Sequence, residues 1–481
     1  MSANLVSWRD YDGVEGFGAT TQQDVDDLNK ALTAGHEVNP PGSATSGDGF
    51  ALRVESLERT LKNVTYKMDH IKFWKNVPKT PAYNTVEEYN QIQEYGNNPD
   101  AGFIDEGDLP SEDDSKYERK FSLVKYIGTT RRVSHVMSLV RPAHGNVLAQ
   151  EAVNGTMHLL RILERGLFYG DSDLSSLQFD GYEKLMRLFS PTANIIDLRG
   201  KPLSEDSLID GALTVSDAPN YGTPTDLYAT PKVVADLAKV FFPKARYDLF
   251  QKTDDGMVGL QVKGFTSPAG DVKFNPDVFI DDGGPVSAAR GDPTKRPASP
   301  TISTPGTTPG PDALSKFEAD DAGDYFYVIQ ACNRFGRSAG VPLVAGPTAI
   351  TVGANEKTTW GVTPGSSVAV DWYEVFRSKK NGATGSERQI IRTKNTGGAG
   401  AMTLNDYNNR LPGCSSAFLF QQNMENMSFK QLAPLVKIPL ATVDSSIRFM
   451  MLLYGVPVLY TPGKNVLYTN IGRATGYVGQ P

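Results

Sequence analysis

Apolar residues between positions 146 and 168 recur on more than one side of a helical wheel: Val147, Leu148, Ala152, Val153, Leu159, Leu160, Ile162, Leu163 and Leu167. This spacing predicts one long helix, apolar and therefore buried on two sides. Gly155 and Gly166 weaken it by about 0.5–1 kcal/mol each relative to alanine, and Gly170 is placed to stop it. Shorter helical patterns lie at 51–63, around Leu52, Leu57 and Leu61, and at 85–89, with Thr85 as cap. Others lie at 205–211, at 447–453, and at 231–240, where Pro231 has no amide hydrogen to leave unpaired in a first turn. β-prone runs predict strands at 102–104, 121–127, 259–265, 272–274, 325–331, 368–377, 387–393, 456–460 and 466–468. The first two flank an acidic, proline-containing tip at 108–118 and read as a long hairpin. Asn381-Gly382 marks a second hairpin.

The pattern also divides the chain. The first fifty residues have no sustained periodicity and contain Asn39-Pro40-Pro41-Gly42, which predicts an extended arm that a neighbour must order. Residues 290–311 are rich in Pro, Gly, Ser and Thr, a linker composition, and lead into a segment with strand patterns only. There Tyr325 to Ala331 alternates at period two before Asn333, Gly336 and Ser338, which resembles the late strand and turn of a fibronectin type III or immunoglobulin-like sandwich. Tyr327 stands where an immunoglobulin domain carries cysteine, so a β-sandwich is expected but not its strand order. After Gly397-Gly398-Ala399-Gly400 the mixed pattern returns. The whole reads as an α+β protein with an inserted all-β sandwich at 286–403.

Composition narrows the function. The 481 residues, 39% hydrophobic and 10% aromatic, suffice for two to four cores. Five histidines and two cysteines, Cys332 and Cys414, argue against a metal-rich enzyme or a disulfide scaffold and for reduced thiols. The start lacks a basic region followed by an apolar one, and the longest apolar run, 449–460, is too short to span a bilayer. A net charge of −7 argues against tight binding to nucleic acid, although a mildly acidic wall suits a container that must not adhere to packaged DNA.

Catalytic constellations do not rise above background. Gly463-Lys464 follows Thr461-Pro462 and precedes Asn465, so it is not a phosphate-binding loop. Asp171-Ser172-Asp173 lacks the downstream glycine and glutamate of a calcium loop and reads as a helix-ending turn. His135, His144 and His158 share no metal-binding spacing. No catalytic residue, cofactor or metal is expected.

Four blocks in order carry a family resemblance: Tyr169-Gly170-Asp171 after an acidic helix end, Phe179-Asp180-Gly181, Asn194-Ile195-Ile196-Asp197-Leu198-Arg199-Gly200, and Tyr221-Gly222-Thr223-Pro224-Thr225-Asp226. With the closing segment from Gln431-Leu432-Ala433-Pro434 to Val466-Leu467-Tyr468-Thr469-Asn470, they resemble the major capsid proteins of tailed bacteriophages, whose fold is named after phage Hong Kong 97. The resemblance implies an N-terminal arm (1–100), an extended loop (101–132), a peripheral domain with a spine helix on an antiparallel sheet (133–190), an axial domain (191–285) and a return after the insertion (404–481). The last strands would close the sheet under the spine helix. It implies subunits that form hexamers and pentamers of an icosahedral head around double-stranded DNA, assembled in the bacterial cytoplasm. Portal, scaffold and decoration proteins are the implied partners, with no membrane. Glu106, Asp113, Asp114 and Glu118 are then candidate intersubunit contacts, with Arg119, Lys120, Arg131 and Arg132 as cationic counterparts. Exposed pairs of this kind contribute about 0–1 kcal/mol each, so they would set register and steer assembly. An encapsulin-type compartment shares the fold; an adhesin or carbohydrate-binding protein would account for the sandwich alone.

Overall fold

The structure, a computed structural model, describes residues 65–96, 103–109, 112–140, 145–241, 262–281, 283–303, 309–344, 348–365, 368–441 and 444–474. The first fifty residues, expected as an extended arm, and the helix expected at 51–63 lie outside these, whereas 65–96 of the N-terminal arm expected at 1–100 lie within them. Of the described residues, 65–138 and 148–474 belong to one compact unit, and 139, 140 and 145–147 lie outside it.

The chain begins with α1 (Phe73–Asn76), β1 (Lys79–Pro81), β2 (Val86–Glu94), β3 (Lys116–Leu123), β4 (Lys125–Ser134), α2 (His135–Leu139) and the long helix α3 (Val147–Tyr169). Next come α4 (Tyr182–Phe189), β5 (Ile195–Asp197), α5 (Glu205–Ser216), β6 (Asp226–Ala229), α6 (Pro231–Phe241), β7 (Gly264–Ser267) and β8 (Gly270–Pro276). Short strands follow: β9 (Arg290–Gly291), β10 (Thr301–Ser303), β11 (Gly310–Pro311), β12 (Gly323–Tyr325), β13 (Tyr327–Asn333), β14 (Gly336–Arg337), β15 (Val341–Pro342) and β16 (Ile350–Val352). Longer ones are β17 (Glu356–Thr363), β18 (Trp372–Arg377), β19 (Arg388–Lys394) and β20 (Met402–Asp406). The chain closes with β21 (Ser415–Phe420), β22 (Met427–Pro439), β23 (Ser446–Leu459) and β24 (Val466–Ile471).

The long helix packs on a four-stranded sheet of order β1-β22-β23-β4. Its buried residues, Gly155, Leu159, Leu160, Leu163, Glu164, Leu167 and Phe168, recur at three- and four-residue steps and form one broad stripe. Val153 and Ile162 are exposed, so within the subunit the helix is buried on one side and not two. Gly155 marks the closest approach: a Cβ there would lie 2.0 Å from Met451 Cε of β23. The helix does end before Gly170, and crowding there admits only glycine, since a Cβ would lie 2.5 Å from Phe179 O and 2.6 Å from Gly166 O.

A second, six-stranded sheet has the order β5-β24-β21-β6-β8-β7. Its apolar face packs with Leu208 and Val215 of α5 and Val233 and Leu237 of α6. Between β8 and β21, sheets of order β19-β18-β13-β14-β9 and β10-β17-β11 share a separate apolar core that includes Phe317, Tyr327, Trp360 and Val375. Asn381 takes a left-handed φ of 53° in the turn between β18 and β19, as its Asn-Gly pair requires.

Four further expectations are corrected. Residues 86–89 begin strand β2, with Thr85 in the bend before it, rather than forming a helical turn, because one isolated turn forms too few hydrogen bonds to persist while an antiparallel partner satisfies the backbone. That partner is β3, so the hairpin does not use residues 102–104; the described 103 and 104 are irregular. Residues 447–453 lie in β23, whose alternate residues Phe449, Met451 and Leu453 are buried: period two, not helical. The last strands divide between sheets, with 456–459 in the sheet against α3 and β24 in the six-stranded one.

Candidate intersubunit surface

β2 and β3 form a two-stranded ribbon in which Val86 faces Leu123, Glu88 faces Phe121, Asn90 faces Arg119 and Ile92 faces Tyr117. Opposed residues share a face, so these eight side chains make one side of the ribbon and their alternates the other. The alternate side holds the subunit. The Tyr89 ring meets Tyr460 edge-on at 5.0 Å, and its hydroxyl donates to Leu459 O at 3.4 Å. Gln91 Nε2 donates to Tyr460 O, and Glu87 lies 3.8 Å from Lys430. Burial, reinforced by Tyr460 and Glu118, pushes the Tyr89 hydroxyl up to about 12.

The opposite side inverts the usual polarity of a surface strand. Val86, Ile92, Tyr117, Phe121 and Leu123 are 41%, 54%, 67%, 70% and 46% exposed. Contiguous exposed apolar side chains of this kind are a feature of interaction sites.

The charged candidates fall in three places. Glu106, Asp113 and Asp114 are exposed in the connection between β2 and β3. Glu118, Arg119 and Lys120 lie on the ribbon, where Arg119 is 3.5 Å from Glu88 and Lys120 is 3.5 Å from Glu118. Arg131 and Arg132 belong to β4, and reach Glu151 of α3 at 3.7 Å and Asp444 at 3.8 Å. All four cations therefore already have a carboxylate partner in their own chain. Charge alone pointed at these residues; the apolar row was missed, although Tyr117, Phe121 and Leu123, on one face of an alternating strand and interrupted by Arg119, were its available signal.

The long helix also anchors the segment leading into the ribbon. Glu164, fully buried, accepts hydrogen bonds from the backbone N–H groups of Lys72 at 2.9 Å, Phe73 at 2.7 Å and Trp74 at 2.8 Å, so it satisfies the start of α1. The Phe73 ring stacks on Phe168 at 4.6 Å. Burial, then the neighbouring Asp277, pushes the Glu164 carboxyl up to about 8. Asp277 is raised by burial too, and its Oδ2 has no hydrogen-bond partner.

Among the described residues no group of three or more His, Cys, Asp or Glu is placed to hold a metal ion, and no helix is long and apolar enough to cross a membrane. At the Asp171-Ser172-Asp173 turn, carboxylates of Asp171, Asp173 and Asp180 converge instead on the Lys184 ammonium at 2.6, 2.7 and 2.9 Å. Both cysteines are buried and unpaired.

No family model matches the chain. A chain of Enterococcus phage phiEF24C is 25% identical over 465 residues, covering 94% of this chain and 96% of its own length. The major capsid protein of Staphylococcus phage K is 23% identical over 454 residues, 93% of this chain and 95% of that protein. The chain is a phage major capsid protein. Its role is structural rather than catalytic, and its place is the virion capsid. A long helix on a four-stranded sheet, a two-stranded ribbon and a second sheet with its own helices make this capsid protein mixed α/β. Among solved structures it is similar to Gordonia phage Cozz, at 13% identity and a TM-score of 0.45 over 90% of this chain and 98% of that one.

Proposed function

We propose that this capsid protein self-assembles into hexamers and pentamers of an icosahedral tailed-phage head around double-stranded DNA, and that the apolar face of the β2–β3 ribbon lies on a neighbouring subunit. The uncovered row Val86, Ile92, Tyr117, Phe121 and Leu123 carries this reading. Covering it contributes on the order of 1 kcal/mol per side chain at about 25 cal/mol per Å2. An exposed ion pair contributes about 0–1 kcal/mol, and the cations here already have partners. The apolar face therefore supplies adhesion, while Glu106, Asp113, Asp114, Glu118, Arg119, Lys120, Arg131 and Arg132 set register and steer encounter. One repeated heterologous contact of this kind closes through symmetry.

Residues 286–403 read as an inserted β-sandwich, supported by their linker composition and their own apolar core. Arg199, in the third of the capsid-like blocks, reaches this region: it donates to Asp321 Oδ2 at 2.7 Å and lies 3.6 Å from Glu318. The sandwich would thicken the shell, bridge neighbours or bind host glycans weakly, in that order. A portal, an internal scaffold and a decoration protein are the expected partners. The test is electron microscopy of particles formed by the parent and by a Tyr117→Glu, Phe121→Glu double variant. We expect closed shells from the parent and folded, unassembled subunits from the variant, with unchanged circular dichroism; normal shells from the variant would remove the ribbon from the interface.

A further inference from the structure

The C-terminal half of α3, residues 126–128 of β4 and the sheet containing β14, β18 and β19 line a half-open cavity of about 440 Å3. One part of its wall is apolar, with Ile162, Leu177, Phe179 and Trp372. The charged part is Arg165, Arg337, Arg392 and Glu374. Buried Glu374 is shared: it lies 3.2 Å from Arg337 and 3.8 Å from Arg392, and also accepts from Trp372 Nε1 at 3.3 Å. Arg165 is matched by Asp281 at 2.9 Å. Three guanidinium groups thus meet two carboxylates. The shortfall falls on Arg392, whose buried Nε has no hydrogen-bond partner and whose Nη1 reaches only Tyr169 O at 3.5 Å.

We propose that this cavity binds a small organic anion: a flat apolar body of one or two rings carrying a single carboxylate or phosphate head. A planar guanidinium fork matches the oxygens of such a head, and a cation short of acceptors is where it gains most. The volume is in the range of small-molecule sites and exceeds what inorganic phosphate alone would fill, which leaves the apolar wall for the body. A ligand held there touches both α3 and the sheet of β18 and β19.

Isothermal titration of the full chain tests this with four probes: 1-naphthoate, 1-naphthyl phosphate, the neutral isostere 1-naphthamide, and inorganic phosphate. Saturable binding of at least one naphthyl anion is expected, one per subunit, with the amide and inorganic phosphate each about tenfold weaker or worse. Which naphthyl anion binds distinguishes a carboxylate from a phosphate ligand. Arg392→Met leaves Glu374 and Arg337 as a one-to-one pair, and should weaken the anion about tenfold while leaving the amide unchanged. The proposal is overturned if neither naphthyl anion saturates, or if the amide or inorganic phosphate binds the unmodified protein as tightly as they do. It is equally overturned if Arg392→Met binds the anion like the parent.

Discussion

Glu164 and Asp277 place two carboxyl groups in one buried site, and the three backbone donors on Glu164 leave Asp277 Oδ2 with none. A proton held between them supplies the missing donor. Glu164 sits at about 8 in the fold against an ordinary 4.5, so folding takes up a proton between those values. The pair's contribution is therefore fully present below about 4.5 and lost as pH rises through about 8. Asp277→Asn keeps the acceptor that Phe279 N–H uses at 2.8 Å and puts an N–H donor where Oδ2 was. Its thermal unfolding midpoint should fall less than the parent's between about pH 5 and pH 8, with about 1–3 kcal/mol more stability at the upper end; equal slopes would refute the shared proton. Lys184 is the opposite case. Burial works against its charge, but the hydrogen bonds it donates to Asp171, Asp173 and Asp180 outweigh that and hold the ammonium well above its ordinary value. Lys184→Met should cost about 1–2 kcal/mol at neutral pH, since Asp173 is well exposed and its pair weak. The three abandoned carboxylates then repel, so calcium should raise the melting temperature of the variant and not of the parent, which calorimetry would show.

Between α3 and α4 the backbone itself is the contact. Gly181 N donates to Gly170 O at 2.8 Å, and a Cβ on Gly181 would lie 2.6 Å from Gly170 N and 2.8 Å from Gly166 O. Main-chain atoms cannot step aside, so Gly181→Ala should lower stability by about 1–3 kcal/mol, read from the denaturant midpoint. Gly155 differs, because a Cβ there meets the free end of the Met451 side chain and the gain in helix propensity offsets the shift. Elements with strong internal signals were legible: α3 occupies 147–169 against an expected 146–168, and α6 starts at Pro231. Short runs were not. Residues 86–89 and 447–453 are compatible with either period over so few positions, and each became a strand because a partner strand lay alongside. The β-prone run at 121–127 was read as one strand, yet it breaks at buried Val124, whose N–H donates to Thr85 O at 2.9 Å, and its halves join different sheets.

For the assembled shell, apolar adhesion and ionic steering respond differently to salt. Exposed ion pairs are screened over about 3 Å at 1 M salt, whereas burial of Tyr117 and Phe121 is not weakened by it. Light scattering should therefore show assembly slowed by added sodium chloride while preformed shells stay intact. Shells that dissolve at high salt would make the charged residues, not the apolar row, the main adhesive. The candidate site was half legible for the same reason: charges are visible one residue at a time, whereas the face a strand residue occupies depends on which strand it pairs with.

The sequence by itself determined the long helix, the turn chemistry at Gly170 and Asn381, the start at Pro231 and the capsid-like order of its blocks. Each is encoded within a few neighbouring residues, where periodicity and φ preference act. Only the tertiary structure decided that β2 pairs with β3, that β4 lies beside β23, that Glu164 is buried against residues 72–74, and that the ribbon turns its apolar face outward. Those outcomes depend on hydrogen-bond and packing partners many tens of residues away, and no local pattern states which partner arrives.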